Sequence, residues 1–516
     1  MTSVEPAEEE VGTSRPVHRT GRTFLIAFVA AGVMLLLISL GVLPPVFGLL
    51  AVAVVLATIF WKIREQLPSI LLVFVVVLLA SVVITKRPPK VRPNRIEANE
   101  SERLSRKWAA SGRFDSRLPI VVHLLFDEMM SPGAITDDLP GGEQVRKSLY
   151  AFGDKNSFRV FDSVYGRYYF TNDVLPNLMG REYLGKTGMD TYSPLPFDAA
   201  TRSYPLKTNA YFDDLARRGY RTVVFQSTHI NYCANKNVDL CETFDSFDPA
   251  GDLSAGVDTP TQRVRLWQAV IGAYEPSYTS ALGQRIVGRA FGLGTRNVGV
   301  DGVGAGGGRY DAQGFPQWFD RFTKFTATVP RGTHVFAHFL VPHAPYLLLG
   351  NCVVSGKTES THNLSQYPSH ERAERRRNYY GRYFGQLGCV QNKLDSFMAA
   401  IDQSPNFRDA VIIIHGDHGS RISISDTVED YRRQDFVDNY ATFFAVRSPG
   451  VAPGRDCEFM SLPQAFRRYV ARGVKAGARP EPPLPIVVAS RKVRNAKVEA
   501  PMPKFGCAGG TETPSP

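Results

Sequence analysis

Residues 410–419 read AVIIIHGDHG, an apolar run rich in β-branched side chains that ends in an aspartate and a histidine between two glycines. Such a run is typical of a parallel strand that is buried on both faces of a sheet. In open α/β sheets the functional groups collect at the carboxyl ends of the strands. The stretch therefore predicts an α/β fold with a site that includes Asp417 and His418.

Other segments of the chain repeat this alternation of apolar strands and helices. We predict strands at 119–126 (PIVVHLLF), 221–226 (RTVVFQ) and 333–340 (THVFAHFL), and helices at 210–218 and 370–401. Strands that alternate with helices form parallel βαβ units. The order therefore predicts an α/β/α sandwich with a mostly parallel sheet.

Polar residues that can carry chemistry follow or lie near these strands. Asp127 and Glu128 come directly after the first strand, Thr171 lies in FTNDVLPNLMG, and His338 and His343 lie in HFLVPHAPY. Each signal is weak alone, but the carboxyl ends of parallel strands meet at one edge of a sheet. We therefore expect these side chains to converge with the aspartate and histidine of the HGDHG segment.

Some of these residues also have ordinary structural interpretations. Thr171 and the two residues after it are all types that cap helix N-termini, and Glu128 can form a salt bridge instead of binding a metal. His338 falls inside a predicted strand. His123 and His415 also fall in apolar strands, where we expect hydrogen-bonded histidines of the core.

Taken together, in this order, the motifs resemble the sulfatase-like branch of the alkaline phosphatase superfamily. The layout is similar to that of membrane-bound lipoteichoic acid synthases and lipid A phosphoethanolamine transferases, which place transmembrane helices before an exported catalytic domain. The resemblance covers residues 117–447 and the anchor that precedes them. It implies an alkaline-phosphatase-like fold and a metal-dependent phosphotransferase or hydrolase.

The resemblance also implies a role for each candidate residue. It assigns metal binding to Asp127, Glu128, Thr171, Asp417 and His418. Thr171 is also the implied nucleophile. His343, in a His-x-Pro-Tyr context, corresponds to a substrate-side histidine that hydrogen-bonds the substrate or protonates the leaving oxygen. His338 is a further candidate for substrate binding.

The donor types in this set suit one divalent cation. Two carboxylates, an imidazole and an alkoxide favour zinc or manganese over calcium or magnesium. A bound cation lowers the pKa of a coordinated hydroxyl and screens the charge on phosphorus. The implied mechanism is double displacement, in which the threonine takes the phosphoryl-containing group and an acceptor hydroxyl or water removes it.

One departure from true sulfatases bears on the substrate. Those enzymes oxidise a cysteine or serine in a Cys/Ser-x-Pro-x-Arg motif to formylglycine, and this sequence contains no such motif. A threonine cannot form that aldehyde. The sequence therefore favours phosphate esters over sulfate esters.

Apolar runs at 24–43, 46–61 and 67–84 predict three membrane-spanning helices, because about 20 helical residues cross the hydrocarbon core. The chain then divides into a cytoplasmic tail (1–22), transmembrane helices (23–85), a linker (86–115), a sulfatase-like catalytic domain (116–475) and a loosely ordered tail (476–516). An odd number of spans places the catalytic domain on the side opposite the N-terminus.

The cysteine content favours an exported domain, and the placement of the basic residues favours a membrane anchor. The formal net charge is +11, and much of the excess flanks the apolar runs, which favours anionic lipid over nucleic acid as a partner. Six cysteines all follow residue 230, and the close pair Cys233 and Cys241 predicts a disulfide. The pairing of the other four stays open, with free thiols as the alternative.

We therefore expect a multi-pass protein of a bacterial-type inner membrane with a periplasmic catalytic domain. The expected reaction is transfer of a phospholipid headgroup, such as phosphoethanolamine, to an acceptor in the cell envelope. Two alternatives remain: an ester hydrolase of the phosphatase or sulfatase type, and a non-catalytic family member that scaffolds envelope assembly.

Overall fold

The computed structural model describes residues 115–507, apart from 199–202, 228, 245–307, 356–363, 365–366, 424, 426–427, 472–480, 491 and 493–495. All described residues lie in one compact unit, Arg92–Pro516. The predicted cytoplasmic tail, the spans and the linker up to residue 114 lie outside the described residues. Within residues that are described, no helix combines the length and the hydrophobicity needed to cross a membrane.

Strands and helices alternate along the described chain. The strands are β1 (Val121–Phe126), β2 (Arg159–Phe161), β3 (Val164–Tyr165), β4 (Tyr204–Pro205), β5 (Arg221–Gln226), β6 (Ile230–Asn231), β7 (Val238–Thr243), β8 (Thr333–Phe339), β9 (Val411–His415), β10 (Phe444–Arg447), β11 (Gly454–Asp456), β12 (Met460–Ser461), β13 (Ile486–Ser490) and β14 (Ala496–Ala500). The α-helices are α1 (Gly142–Lys155), α2 (Thr171–Pro176), α3 (Ala210–Arg217), α4 (Gly308–Thr326), α5 (Ser369–Ile401), α6 (Arg433–Tyr440) and α7 (Leu462–Phe466).

The described strands include one large sheet of eight, in the order β11-β2-β10-β9-β1-β8-β5-β7. Strand β10 runs antiparallel to β2 and β9, and the other neighbouring pairs are parallel. Strand β1 lies between β8 and β9, and all of its residues are buried. The predicted mostly parallel sheet is confirmed.

Both faces of this sheet are covered by helices. In β1, Val122 and Leu124 belong to a core that includes residues of α4 and α5, whereas Val121 and Leu125 belong to a core that includes residues of α3 and α7. Successive side chains of a strand point to opposite faces. The layers are therefore helix, sheet and helix, as the sequence predicts.

The predicted boundaries agree with the observed ones to within two residues. The helix predicted at 210–218 is α3, which begins after Asn209 and ends at Arg217. Asn209 caps it, because its side chain accepts a hydrogen bond from the Phe212 amide at 3.0 Å. Gly219 follows with a φ of 94°, the left-handed conformation that commonly ends a helix.

The prediction of a loosely ordered tail from residue 476 is wrong for the part of it that is described. Strands β13 and β14 pair as an antiparallel hairpin, and Ile486, Val487 and Val488 are buried. Val487 donates its amide to the Arg167 carbonyl at 2.7 Å and accepts from the Tyr440 hydroxyl at 3.0 Å. The proline- and lysine-rich composition of the tail concealed this short apolar strand, so the folded domain extends beyond residue 475.

All six cysteines form disulfides, which are Cys233–Cys241, Cys352–Cys389 and Cys457–Cys507. The predicted first pair is confirmed, and the alternative of free thiols is wrong. The third disulfide ties the end of the described chain to the segment between β11 and β12. Cross-links of this kind stabilise mainly by restricting the unfolded chain.

The long helix α5 holds helix α6 and the loops that follow β1 and β8. Arg376 donates two hydrogen bonds to Asp438, both at 2.8 Å, and the two side chains are nearly fully buried. Tyr383 donates its hydroxyl to the Glu128 carbonyl at 2.7 Å, and Gln386 donates to the His343 carbonyl at 2.8 Å. One rigid helix therefore fixes loops from distant parts of the sequence.

Substitution of Arg376 tests this support. Arg376→Leu should lower the free energy of unfolding by about 3–5 kcal/mol, because it leaves the Asp438 carboxylate buried without its cation. Urea unfolding followed by circular dichroism measures the loss. Arg377→Leu is the matched control, since Arg377 is exposed on the same helix, and it should stay within about 0.5 kcal/mol of wild type. Equal losses in the two variants would contradict the proposed support.

Removal of the third disulfide tests whether it stabilises the C-terminal hairpin. Replacing Cys457 and Cys507 by serine should reduce the free energy of unfolding by about 2–4 kcal/mol. The freed end should also make residues 482–507 more sensitive to limited proteolysis. Serine at Cys233 and Cys241 serves as the control, because that bridge lies elsewhere and should leave cleavage of the hairpin unchanged. Unchanged cleavage in both double variants would show that the bridge does not hold this segment.

Candidate active site

The carboxyl ends of β1 and β9 bring the first two candidate groups together. Asp127 directly follows β1, and Asp417 lies two residues after β9, its neighbour in the sheet. Both side chains are buried. The Glu128 amide donates to Asp417 Oδ1 at 3.1 Å, which links the two loops. The sequence placed both aspartates correctly at one edge of the sheet.

Thr171 is the first residue of α2 and faces these loops. The N-cap of α2 is Phe170, whose side chain makes no capping hydrogen bond, so the N-cap alternative for Thr171 is wrong. Its hydroxyl oxygen lies 3.3 Å from Asp127 Oδ2 and 3.3 Å from His418 Nε2. The hydroxyl is therefore directed at an acid and an imidazole instead of at its own helix.

Two glycines allow the HGDHG segment to pack this tightly. A Cβ on Gly416 would lie 2.4 Å from the Met129 carbonyl oxygen, and one on Gly419 would lie 2.2 Å from the Asp438 carbonyl oxygen. Real Cβ atoms do not approach oxygen this closely, so neither position has room for a side chain. The glycines let the loop pack against Met129 after β1 and against α6.

His418 presents one ring nitrogen to the site. Its Nδ1 lies 2.9 Å from the Gly419 carbonyl oxygen, which fixes Nδ1 as the protonated nitrogen. Nε2 is then unprotonated, and it lies 3.2 Å from Asp417 Oδ2 and 3.7 Å from Asp127 Oδ1. Burial lowers the pKa of His418, so the neutral form is favoured. A second-shell carbonyl of this kind is the usual partner of a metal-binding histidine.

The polar atoms that meet here are mainly acceptors. Within the described residues, Asp127 Oδ1 and Asp417 Oδ2 are buried and accept no hydrogen bond. Burial, together with the carboxylates of Asp417 and Glu128, raises the pKa of Asp127 well above its usual range. Such a concentration of lone pairs is unfavourable without a cation. The donor set of two carboxylates, an imidazole and a hydroxyl therefore fits a divalent metal ion.

Glu128 contributes to this cluster, but it is also held by an arginine. Ligand atoms of Asp127, Glu128 and His418 all lie within 4.8 Å of one another. Glu128 Oε1 accepts a hydrogen bond from Arg421 Nε at 2.6 Å, and the backbone of Glu128 has a φ of 64°. The salt-bridge interpretation of Glu128 is therefore confirmed, while its predicted metal binding stays a prediction.

His343 lies at the edge of the site and contacts Arg421, the arginine that also binds Glu128. Its Nε2 is 2.6 Å from Arg421 Nη2 and 3.7 Å from Glu128 Oε1, and its Nδ1 contacts the Ala344 carbonyl. Because Nη2 is a donor, Nε2 acts as the acceptor. The structure thus groups His343 with Arg421 and Glu128, and its roles in catalysis and substrate binding stay predictions.

His338 lies on β8, beside Asp127. Its Nε2 is 3.9 Å from Asp127 Oδ2, and its Nδ1 is 3.1 Å from the Tyr232 hydroxyl. Burial lowers its pKa to about 3, so the ring is neutral. The expectation that His338 is a strand residue is confirmed, and its position beside Asp127 is consistent with the predicted substrate contact.

Two other strand histidines, His123 and His415, lie in the core, as predicted. His123 Nε2 and His415 Nε2 are 2.7 Å apart, and both rings are fully buried. They pack against aromatic side chains that include Tyr211 and Phe466. These two histidines pair with each other and take no part in the acceptor cluster.

Sequence reasoning missed three residues near the site. Arg421 follows the HGDHG segment by two positions, and its place beside that motif was an available signal. His229, in the loop after β5, interacts electrostatically with Arg421 and Asp417, and burial lowers its pKa to about 4. Lys497, on β14, contacts Asp173 of α2. No local pattern marks Lys497, because its position depends on the hairpin.

A comparison with protein-family models identifies the fold family. The Sulfatase model matches residues 154–462, more than half of the 516-residue chain. The match includes Thr171, Asp417 and His418, whereas Asp127 precedes it and the C-terminal hairpin follows it. No curated protein is significantly similar to the chain.

Several solved structures are distantly similar. A phosphonate monoester hydrolase of Agrobacterium radiobacter is 12% identical, with a TM-score of 0.42 over 72% of this chain and 80% of that chain. The C-terminal periplasmic domain of EcEptC from Escherichia coli, in complex with Zn, is 11% identical, with a TM-score of 0.39 over 74% and 92%. BT1596, a 2-O GAG sulfatase, is 11% identical, with a TM-score of 0.39 over 72% and 77%.

These structures are too distant to bear on substrate or mechanism, so the assignment rests on the family model. By that match, the chain belongs to the sulfatase family, within the alkaline phosphatase superfamily of metal-dependent hydrolases and transferases.

Proposed function

We propose that this protein is a membrane-anchored transferase that moves a phosphoryl-containing headgroup from a phospholipid to an envelope acceptor through Thr171. The observation that supports it is the position of the Thr171 hydroxyl, 3.3 Å from both Asp127 Oδ2 and His418 Nε2. A buried alcohol between an acid and an imidazole is the arrangement that nucleophilic catalysis needs.

We assign the metal ion to Asp127, Thr171, Asp417 and His418, with Glu128 as a further candidate ligand. Oxygen and nitrogen donors in this ratio favour zinc or manganese. When bound, the ion supplies Lewis-acid stabilisation of negative charge and makes a coordinated hydroxyl more acidic. The same four residues provide the buried acceptor atoms, whose close approach costs free energy unless a cation binds them.

The residues of the chain carry the proposed steps. Asp127 Oδ2 is placed to receive the proton as Thr171 Oγ1 attacks phosphorus. A bond forms between Oγ1 and phosphorus, and the bond from phosphorus to the donor oxygen breaks; that oxygen takes up the proton held by Asp127, and the donor leaves as an alcohol. An acceptor hydroxyl then attacks the same phosphorus and gives its proton to Asp127, and Oγ1 leaves and takes up a proton from Asp127. Arg421 lies beside Glu128 and His343, and His338 lies beside Asp127.

The type of nucleophile supports phosphate chemistry. Formylglycine enzymes need a cysteine or serine where this chain has Thr171, and the sequence lacks the Cys/Ser-x-Pro-x-Arg motif. A threonine hydroxyl can form a phosphoester with the transferred group directly. We therefore propose a phosphodiester or phosphomonoester substrate, and not a sulfate ester.

The location remains part of the proposal. Residues 23–85 would form three spans, preceded by a cytoplasmic tail (1–22) and followed by the linker (86–115), with the catalytic domain in the periplasm of a bacterial-type inner membrane. Three disulfides support an oxidising compartment. The basic residues that flank the apolar runs suit phospholipid headgroups, and nucleic acid is not a proposed partner.

Replacement of the nucleophile tests the proposed reaction. Thr171→Ala should reduce headgroup release from labelled phospholipids by at least about 1,000-fold, because it removes the atom that bonds to phosphorus. Thr171→Ser retains a hydroxyl and should keep measurable activity, which separates loss of the nucleophile from loss of the fold. Equal turnover by wild type and Thr171→Ala would exclude Thr171 as the nucleophile. Release of free headgroup even with acceptor present would identify a hydrolase.

Metal binding can be measured without activity. His418→Ala should weaken zinc or manganese binding by at least about 100-fold, more than the loss of an outer-shell partner commonly does. Equilibrium dialysis followed by elemental analysis gives the affinity and the stoichiometry, which should be one ion per chain. His370→Ala is the control, because its side chain is 81% exposed. Identical metal content in the two variants would remove His418 from the metal site.

A further inference from the structure

Helix α2, which begins with Thr171, has little to hold it in place by itself. It has six residues and continues directly into a short π-helical segment, Asn177–Glu182. Helical segments of this length are marginal in water and are stabilised mainly by tertiary packing. The N-cap residue, Phe170, makes no side-chain hydrogen bond to the helix. The position of the Thr171 hydroxyl therefore depends on contacts from other parts of the chain.

Asp173 is the residue of α2 on which such contacts converge. Its amide donates to the Phe170 carbonyl at 2.9 Å, which closes the helical turn that contains Thr171. Its side chain is 4% exposed. One carboxylate oxygen accepts a hydrogen bond from the Tyr192 hydroxyl at 2.8 Å, and the other contacts the ammonium of Lys497. A displacement of this carboxylate would therefore also displace the turn that carries the proposed nucleophile.

Lys497 reaches α2 from strand β14 of the C-terminal hairpin. The family model ends at residue 462, so this cation comes from a part of the chain that the model does not cover. The ammonium also contacts the Tyr192 hydroxyl, and it lies 4.7 Å from the centre of the Tyr192 ring and 6.0 Å from that of Phe170. An acid, a hydroxyl and two aromatic rings therefore hold the ammonium against the first turn of α2.

The same strand also holds the far end of the helical stretch. Glu499 lies two residues after Lys497 on β14, and alternate residues of a strand share one face. Arg167 is buried and donates to Glu499 at 2.7 Å and to Glu182, the last residue of the π-helical segment, at 2.9 Å. One strand therefore fixes residues 171–182 near both ends, which restricts the rotation of α2 as well as its position.

We infer that Lys497 is a positioning residue that holds the first turn of α2 through Asp173. This inference rests on the proposed function, since it explains how the proposed nucleophile is placed. The Thr171 hydroxyl lies 3.3 Å from both Asp127 Oδ2 and His418 Nε2, and a misplacement of about 1 Å can cost about 100-fold in rate. A lysine beyond the region of the family model thus supports turnover through the helix that it holds.

Kinetics on a soluble phosphodiester test this role. The full chain, loaded with zinc or manganese, is assayed with bis(4-nitrophenyl) phosphate, which has neither a glycerol nor an amine group. Lys497→Met should lower kcat by about 10- to 100-fold and leave KM within about twofold, because it changes the position of the attacking atom and not the binding of substrate. Lys497→Arg restores the cation and should recover most of kcat.

A double-mutant cycle tests whether the effect passes through Asp173. Asp173→Asn removes the charge that Lys497 contacts and should also lower kcat. Because both substitutions break the same ion pair, the double variant should lose no more than the more damaged single variant. Additive losses in kcat would overturn the proposed route through Asp173.

Backbone amide hydrogen exchange of residues 170–176 gives a readout that needs no activity. Lys497→Met should speed exchange in this segment, since it frees the turn from the hairpin. Lys504→Met is the matched control, because Lys504 is an exposed lysine of the same C-terminal segment. It should keep the exchange rates and the kcat of wild type.

The two readouts together decide the role of Lys497. A higher KM with unchanged kcat, or faster exchange with unchanged kcat, would overturn it. A lower kcat without faster exchange would also overturn it, since Lys497 would then act on the substrate directly. If wild type turns over neither this diester nor labelled phospholipid, the proposed function fails. Faster exchange in Lys497→Met alone would then still support the positioning of α2, and exchange equal to that of Lys504→Met would overturn it.

Discussion

The structure depends on a concentration of buried acceptor atoms at the carboxyl edge of the central sheet. Asp127 Oδ1 and Asp417 Oδ2 accept no hydrogen bond from the described residues, and the lone pair of His418 lies 3.2 Å from the second of them. Unfolding would return these groups to water, so the fold must hold them together against their repulsion. A divalent cation is the simplest partner for such a set. That requirement explains why the surrounding loops are so firmly fixed.

The support for these loops comes from groups far away in sequence. Gly416 and Gly419 let the HGDHG segment lie against neighbouring backbone where any side chain would clash. Helix α5 holds the loops after β1 and β8 through Tyr383 and Gln386, and it holds helix α6 through Arg376. Because rigid elements position functional groups more accurately than loops alone, a long helix with a polar, buried face is well suited to this task.

Much of the fold and of the site could be predicted from short-range patterns. Apolar runs that end in Asp127 and in Asp417-His418 predicted both buried strands and the edge where their polar residues meet. The patterns did not predict the pairing of Arg421 with Glu128 and His343, because a long flexible side chain finds its partners only in three dimensions. They also missed the hairpin that carries Lys497. Its first strand has only five residues and lies in a proline-rich tail, and the end of that tail is held by a disulfide between cysteines that are 50 residues apart in sequence.

The central claim is that one divalent ion joins Asp127, Thr171, Asp417 and His418. The most direct measurement is anomalous X-ray scattering from crystals of the protein grown with zinc or manganese. The account predicts one anomalous peak about 2.0–2.3 Å from an oxygen or nitrogen of each of these side chains. A metal ion found only at another place in the protein would contradict the account. So would a fully occupied metal ion at this site that is not coordinated by Thr171 and His418.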